Sequence, residues 1–446
     1  MSSSILHRSL EKSYPTAASG EGVYLITKDG RKILDGSSGA AVSSVGHGNK
    51  EVIDAVIEQA KSLAFAHTAF FTSDPAENLA QVIINKSDNA FSKATFFCSG
   101  SEAVDSALKI ARQYHVYNGE LERVNFIGRN DSYHGNTLGA LAAGNNTSRR
   151  EPFGPILSST FHHVSRCFYD ADGAGVSEKE YEDRLITEFE EKINLLNPKT
   201  VAAIIIEPVS GATLGGVPAT ATYLPRLRDL CSRHGILVIF DEVMCGMGRV
   251  GTYHAWQTLG GVAPDLQTIG KGLGAGYQPL SAVLISEKIC AQFARGSREG
   301  KKFVSGHTFQ GHAMACAGAL AVNRIIERDN LLDNVQKMGK LLEARLSVGL
   351  PPAFKQHGGS LRGLGLFRAV DFGRWRESVG GVGAAPLAQE VSEECFKQGA
   401  AVYLCSAAVD AVLFAPPFII EEKEVSILAS TFLRALDIVL EGRRVF

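Results

Sequence analysis

The alternation of apolar and polar positions divides the chain into three stretches. Up to about residue 65 it predicts short strands over 23–28 and 32–35, then an amphipathic helix from Glu51. Between 66 and 325, continuous apolar or β-branched runs recur at 93–97, 124–127, 201–206, 236–240, 266–269 and 280–285. Such runs suit strands buried on both faces of a mostly parallel sheet. Helices between them, such as 101–117 and 223–234, would cover those faces. A long helical stretch follows His312 and passes Ala344, with a break near Asn330. From 326 onward, strands at 365–370, 400–404 and 411–414 mix with helices near 385–398 and 422–441, an α+β pattern. The predicted fold is α/β: a large domain, 66–325, inserted between the two parts of a smaller α+β domain, 1–65 and 326–446.

At 446 residues the chain exceeds the size at which one core stops growing, which agrees with two domains. Its 45% hydrophobic and 21% charged residues are those of an ordinary globular protein. A net charge of −2 gives no support for a nucleic-acid partner. The eight cysteines are scattered without a C-x-x-C pair, which argues against a zinc site or disulfide framework and fits a reducing compartment. The first residues lack the apolar run of a signal peptide, and no apolar stretch reaches the roughly 18 residues of a membrane span. A cytoplasmic protein without membrane contact is expected.

The chemistry gathers where predicted strands end. Lys271 closes the run 264–272, Asp241 ends the strand before it, and Glu207 ends another. In open α/β sheets ligands bind outside the carboxyl ends of strands. Either acid alone would also serve as a helix cap. With Lys271 they point to one site holding an amine and a carboxylate, the pair that pyridoxal phosphate requires. Cys98-Ser99-Gly100-Ser101-Glu102, between a strand and a helix, reads as a phosphate cup or as a plain N-capped turn. Tyr133-His134-Gly135 offers a ring to stack on a flat heterocycle, or an exposed loop aromatic. Thr308, before the long helix, is a phosphate donor or a cap. His307 and His312 are five residues apart and share no helical face, so no metal site is predicted.

These motifs, with Gly46-His47-Gly48, Glu207-Pro208-Val209, Gly248-Arg249-Val250-Gly251, Arg362-Gly363 and Ala415-Pro416-Pro417, together resemble the class-III (ω-type) pyridoxal-phosphate aminotransferases. The resemblance spans nearly the whole chain. It implies the fold-type I architecture, with a mostly parallel seven-stranded sheet. It implies that Lys271 is the Schiff-base lysine and proton shuttle, and that Asp241 pairs with the ring nitrogen. Ser99, Gly100 and Ser101 would hold the phosphate, while Tyr133 and Val243 would flank the ring. His134 and Glu207 would lie beside the cofactor. Thr308 would reach the phosphate of the neighbouring subunit, making a homodimer with active sites at its interface. The reaction implied is ping-pong transfer of an amino group to an oxo-acid.

The departures bear on substrate. Leu413 stands where members using α-ketoglutarate commonly carry an arginine, and Tyr403 where pyruvate-coupled members carry a mobile one. Gly39-Ala40-Ala41 replaces a segment where many members have tryptophan. Ala41 would leave a wider substrate pocket, with Phe70, Phe71 and Tyr403 on its wall. Arg149 and Arg150 are a substitute carboxylate clamp or simply solvated charges. The expected donor is an amine or ω-amino compound with a bulky apolar part, and pyruvate is expected ahead of α-ketoglutarate as acceptor. Aminomutases, racemases, decarboxylases and phospho-lyases on this scaffold share the lysine and aspartate, and a non-catalytic relative is a third reading.

Overall fold

The computed structural model describes residues 4–376 and 385–444. Residues 1–3, 377–384 and 445–446 of the two end segments lie outside them. The central sheet has seven strands: β1 Lys93–Phe97, β2 Asn125–Arg129, β3 Phe161–Val164, β4 Val201–Ile206, β5 Leu237–Asp241, β6 Leu266–Ile269 and β7 Ser281–Ile285. Their order is β1-β7-β6-β5-β4-β2-β3. Only β7 runs antiparallel to its neighbours.

Every residue of β4 and β5 is buried, as expected of strands covered on both faces. On one face helix α1, Gly100–Tyr117, packs through Ala103, Val104, Ala107 and Ala111, small residues that bring helix and sheet close. The other face meets the helices Glu178–Leu196 and Tyr223–His234 through Phe189, Leu227 and Leu230. Strand β3 was not foreseen. Its sequence, Phe-His-His-Val, is a half-buried edge with no apolar run.

The two ends of the chain meet beside this unit. Lys32–Asp35 pairs in parallel with Ala400–Ala401, Leu34 facing Ala400. Val23 and Leu34 from the start share a core with Phe414, Leu428 and Phe432 from the end. The single strand expected over 400–404 is two. Ala400–Ala401 joins the N-terminal sheet, while Tyr403–Leu404 pairs with Ala411–Phe414 in a second sheet. The long helical stretch is α2, Ala313–Arg328, and α3, Leu331–Gly349. Asn330 separates them with a left-handed φ of 50°, a conformation asparagine tolerates better than most residues. Among the described residues no helix is long and apolar enough to cross a membrane.

Candidate active site

Strands β5 and β6 are in register with Asp241 beside Thr268, so both side chains emerge at the carboxyl edge of the sheet. Thr268 Oγ1 donates to Asp241 Oδ1 at 2.9 Å, and the Val243 amide donates to the same oxygen at 3.1 Å. The second oxygen, Oδ2, lies 2.8 Å from His134 Nδ1. A carboxylate only accepts, so this contact puts the proton on Nδ1. His134 is therefore a holder of Asp241. Its Nε2 is buried without a partner among the described residues.

Lys271 stands two residues past the end of β6 and opens the short turn Lys271–Leu273, with a left-handed backbone at φ 42°. Strained non-glycine residues of this kind persist where the surroundings over-determine them. The amine is enclosed by protein yet opens onto a cleft of about 170 Å³. Burial pushes its pKa down; Asp241 and Glu207 oppose that shift, and Arg149 adds to it.

Glu207 caps no helix. Its Oε1 accepts from the Tyr133 amide at 3.1 Å and its Oε2 from the Gly211 amide at 3.0 Å, joining the loops that follow β2 and β4. Burial raises its pKa; His134 opposes the shift and the charge of Asp241 reinforces it.

At the start of α1, Ser99 Oγ accepts from the Glu102 amide, and the Glu102 carboxylate receives the Ser99 amide, a capping box. The Ser99 hydroxyl serves its own helix and is not among the residues that line the cleft. Gly100 and Ser101 do line it, at the helix end whose amides have no intrahelical acceptor. A Cβ on Gly100 would stand 2.7 Å from Val243 Cγ1, so only glycine admits the valine this close. Tyr133, His134, Glu207, Asp241, Val243 and Lys271 border the same cleft. Thr308 is exposed and outside it.

A second cavity of about 530 Å³ continues from Tyr133, Met244 and Lys271 to Arg149 and Tyr403. Ala40 lines it, whereas Ala41 does not. Left-handed turns at Gly39 (φ 68°) and Ala41 (φ 62°) swing Ala41 into the main core. Phe70 and Phe71 also fall outside it: their amides fold back on the His67 carbonyl, and the two residues are 82% and 65% exposed. Met244, Ala212 and Asn146 were missed, because their approach depends on loop returns that leave no local pattern.

The residues present fit pyridoxal phosphate. Tyr133 and Val243 border space for a flat ring, Asp241 is a fixed acid, Lys271 an enclosed amine, and α1 presents free amides to an anion. Among the described residues no group of three side chains is arranged to hold a metal.

The sequence model of the class-III aminotransferases matches residues 8–436. A diaminobutyrate–2-oxoglutarate transaminase of Halomonas elongata is 31% identical over 438 residues, 95% of this chain and 90% of that protein. A putrescine–pyruvate aminotransferase of Pseudomonas aeruginosa is 30% identical over 433 residues, 96% of this chain and 91% of that protein. The crystal structure of the omega transaminase from Pseudomonas jessenii in complex with PMP superposes with a TM-score of 0.89 at 30% identity, covering 96% of this chain and 93% of that one. Family model, relatives and fold agree: this chain belongs to the class-III aminotransferases, enzymes of fold type I.

Proposed function

We propose that this enzyme holds pyridoxal phosphate and works by a ping-pong mechanism. It would take an amino group from an amine or ω-amino compound with a bulky apolar part and pass it to an oxo-acid, pyruvate ahead of α-ketoglutarate. The observation that carries this is the pairing of Lys271 and Asp241 at adjoining strand ends of one cleft, the acid fixed by Thr268, His134 and the Val243 amide.

Pyridoxal phosphate, when bound, supplies a sink for the electron pair left as the substrate Cα–H bond breaks. Asp241 keeps the ring nitrogen protonated, and His134 and Thr268 keep Asp241 aimed. Lys271 Nζ takes the proton from Cα, and the lowered pKa of its amine gives it more of the neutral form that this needs. The amides of Gly100 and Ser101 hold the phosphate at the helix end, while Tyr133 and Val243 fix the plane of the ring.

The bulky donor is supported by the larger cavity and the small Ala40 on its wall. Pyruvate ahead of α-ketoglutarate is supported by Leu413, an uncharged strand residue where α-ketoglutarate users carry an arginine. A homodimer with Thr308 contributed across subunits is supported by exposed aromatics nearby. The Phe65 and Phe309 rings lie 5.9 Å apart, and Phe70, Phe71 and Phe309 remain exposed around them. Eight unpaired cysteines support a reducing, cytoplasmic setting. The division into 66–325 and a smaller unit of 1–65 with 326–446 is supported by the core shared between the chain ends.

The test is a donor panel added to the holoenzyme without acceptor. Bulky amines and ω-amino compounds should abolish the visible absorption of the bound cofactor, and pyruvate should restore it. Strict preference for glutamate or ornithine would refute the donor assignment. No response to any donor would refute transamination.

A further inference from the structure

An oxo-acid must have its carboxylate held, and the tail supplies no cation to hold it. Tyr403 and Leu413 are direct cross-strand partners, so the two positions where relatives carry an arginine are neighbours here, and both are uncharged. A cation borders the same cavity from another segment of the chain. Arg149 ends the single helical turn Thr147–Arg150, and its guanidinium carbon lies 4.9 Å from the centre of the Tyr133 ring. Tyr133 and Lys271 border both cavities, while Arg149 and Tyr403 border the larger one.

The setting of Arg149 is unlike that of a solvated surface charge. It is half-buried, stacked on an aromatic face, and without an ion pair to any described residue. Its charge reaches the reacting region, since it helps to lower the pKa of Lys271 and opposes the burial that raises that of Tyr403. The Tyr403 hydroxyl likewise makes no hydrogen bond to a described residue. Arg150 is turned away, its Nη1 donating to Asn145 Oδ1 at 3.3 Å. Arg8 also borders the cavity, but it is exposed on a segment without regular structure. A half-buried guanidinium lacking an anion is satisfied best by a carboxylate, which it can meet with paired hydrogen bonds.

We infer that Arg149, backed by the Tyr133 ring and facing the Tyr403 hydroxyl, binds the carboxylate of a small monocarboxylic 2-oxo acid. This rests on the aminotransferase reading, with the clamp moved from the tail to the loop after β2. One preorganised cation suits one carboxylate, which fits pyruvate better than a dicarboxylate.

The experiment compares wild type, Arg149→Gln, Arg149→Lys and, as a control, Arg150→Gln, each as holoenzyme with its visible absorption retained. The donor half-reaction is followed with a primary amine lacking a carboxylate, and the return half-reaction with pyruvate. Separately, propionate, an unreactive carboxylate, is titrated against the cofactor absorption. Arg149→Gln should raise the half-saturating pyruvate and propionate concentrations by about 10- to 100-fold, the range of a charge-assisted hydrogen bond. Loss of the charge also acts on Tyr133 and Lys271, so the amine half-reaction should change as well, but by a clearly smaller factor than the pyruvate and propionate concentrations. Arg149→Lys should recover part of the loss, and Arg150→Gln should match wild type. Unchanged pyruvate and propionate responses in Arg149→Gln would overturn the clamp. An equal fall in both half-reactions would also overturn it, by showing that Arg149 acts only through the placement of Tyr133. Failure of the aminotransferase reading is distinct: wild type itself would then show no donor half-reaction, while propionate would still decide the role of Arg149.

Discussion

A buried carboxylate serves a ring nitrogen only while its own donors keep it aimed, and Asp241 draws them from three separate places. Thr268 comes from β6, His134 from the loop after β2, and the Val243 amide from the residue two ahead. Asp241→Asn retains the size but loses the charge, and its amide group must face a donor. We expect kcat to fall by about 10²- to 10⁴-fold, with the dichroism of the fold unchanged. Lys271→Ala should still hold the cofactor, now released by dialysis, and show no turnover. Near-normal rates in either variant would overturn these roles. Gly100→Ala tests the anion end. The added methyl would meet Val243 at 2.7 Å, so either the valine or the helix start must shift. Cofactor affinity should weaken by about 10-fold or more, corresponding to at least 1.4 kcal/mol, as measured by titration of the apoenzyme. At this scale the sequence exposed Lys271 and Asp241 because each stands just past an apolar run. The role of His134 was hidden because its partner is 107 positions away. Ala40 was hidden by a backbone kink that no residue pattern announces.

Elements were legible where local and tertiary preferences agree. Tyr223–His234 and Lys32–Asp35 form over the residues predicted, each with a clear pattern and a clear stop. The break at Asn330 was legible for the same reason. The split of 400–404 was not, because its two halves are recruited by different sheets far apart in sequence. The start of α1 makes the energetic side of such signals measurable. Ser99→Ala removes the capping box and should destabilise the protein by about 1 kcal/mol. This would appear as a lower denaturant midpoint at unchanged slope, with cofactor affinity largely kept because the hydroxyl faces the helix. His254, beside Trp256 and accepting from Gln267 on β6, makes a pH prediction. Burial pushes its pKa down to about 3 from 6.5. Between those values the unfolded chain binds the extra proton, so stability is full above about 6.5 and is lost as pH falls. His163, pushed down to about 4, acts in the same direction. The Tm of wild type should therefore drop from pH 6.5 to 4, and His254→Gln should show a shallower drop. An unchanged slope would mean that His254 takes up no proton on unfolding.

At the scale of the molecule, the large sheet brings Asp241 and Lys271, while the chain ends bring Ala40 and Tyr403 to the same space. Asp241 and Lys271 stand at strand ends that the apolar runs mark, whereas Ala40 and Tyr403 reach the cavity through returns of the chain distant in sequence, which is why the first pair was easier to read than the second. The proposed dimer extends this division, since Thr308 lies outside the cleft of its own chain. A symmetric pair in which each subunit completes the other's site permits complementation between two inactive variants. Lys271→Ala disables one site through the residue it contains; Thr308→Glu disables its partner's site by placing a negative charge against the phosphate. In a mixed dimer, one site carries both lesions and the other carries neither. Random exchange of equal amounts makes about half of the dimers mixed, so activity should recover to about a quarter of wild type. If Thr308 served its own subunit, each site of the mixed dimer would carry one lesion. No activity would then return, although mass measurement would show that subunits had exchanged. Recovery therefore requires both that the subunits pair and that Thr308 crosses between them, and a dimer with self-contained sites gives none.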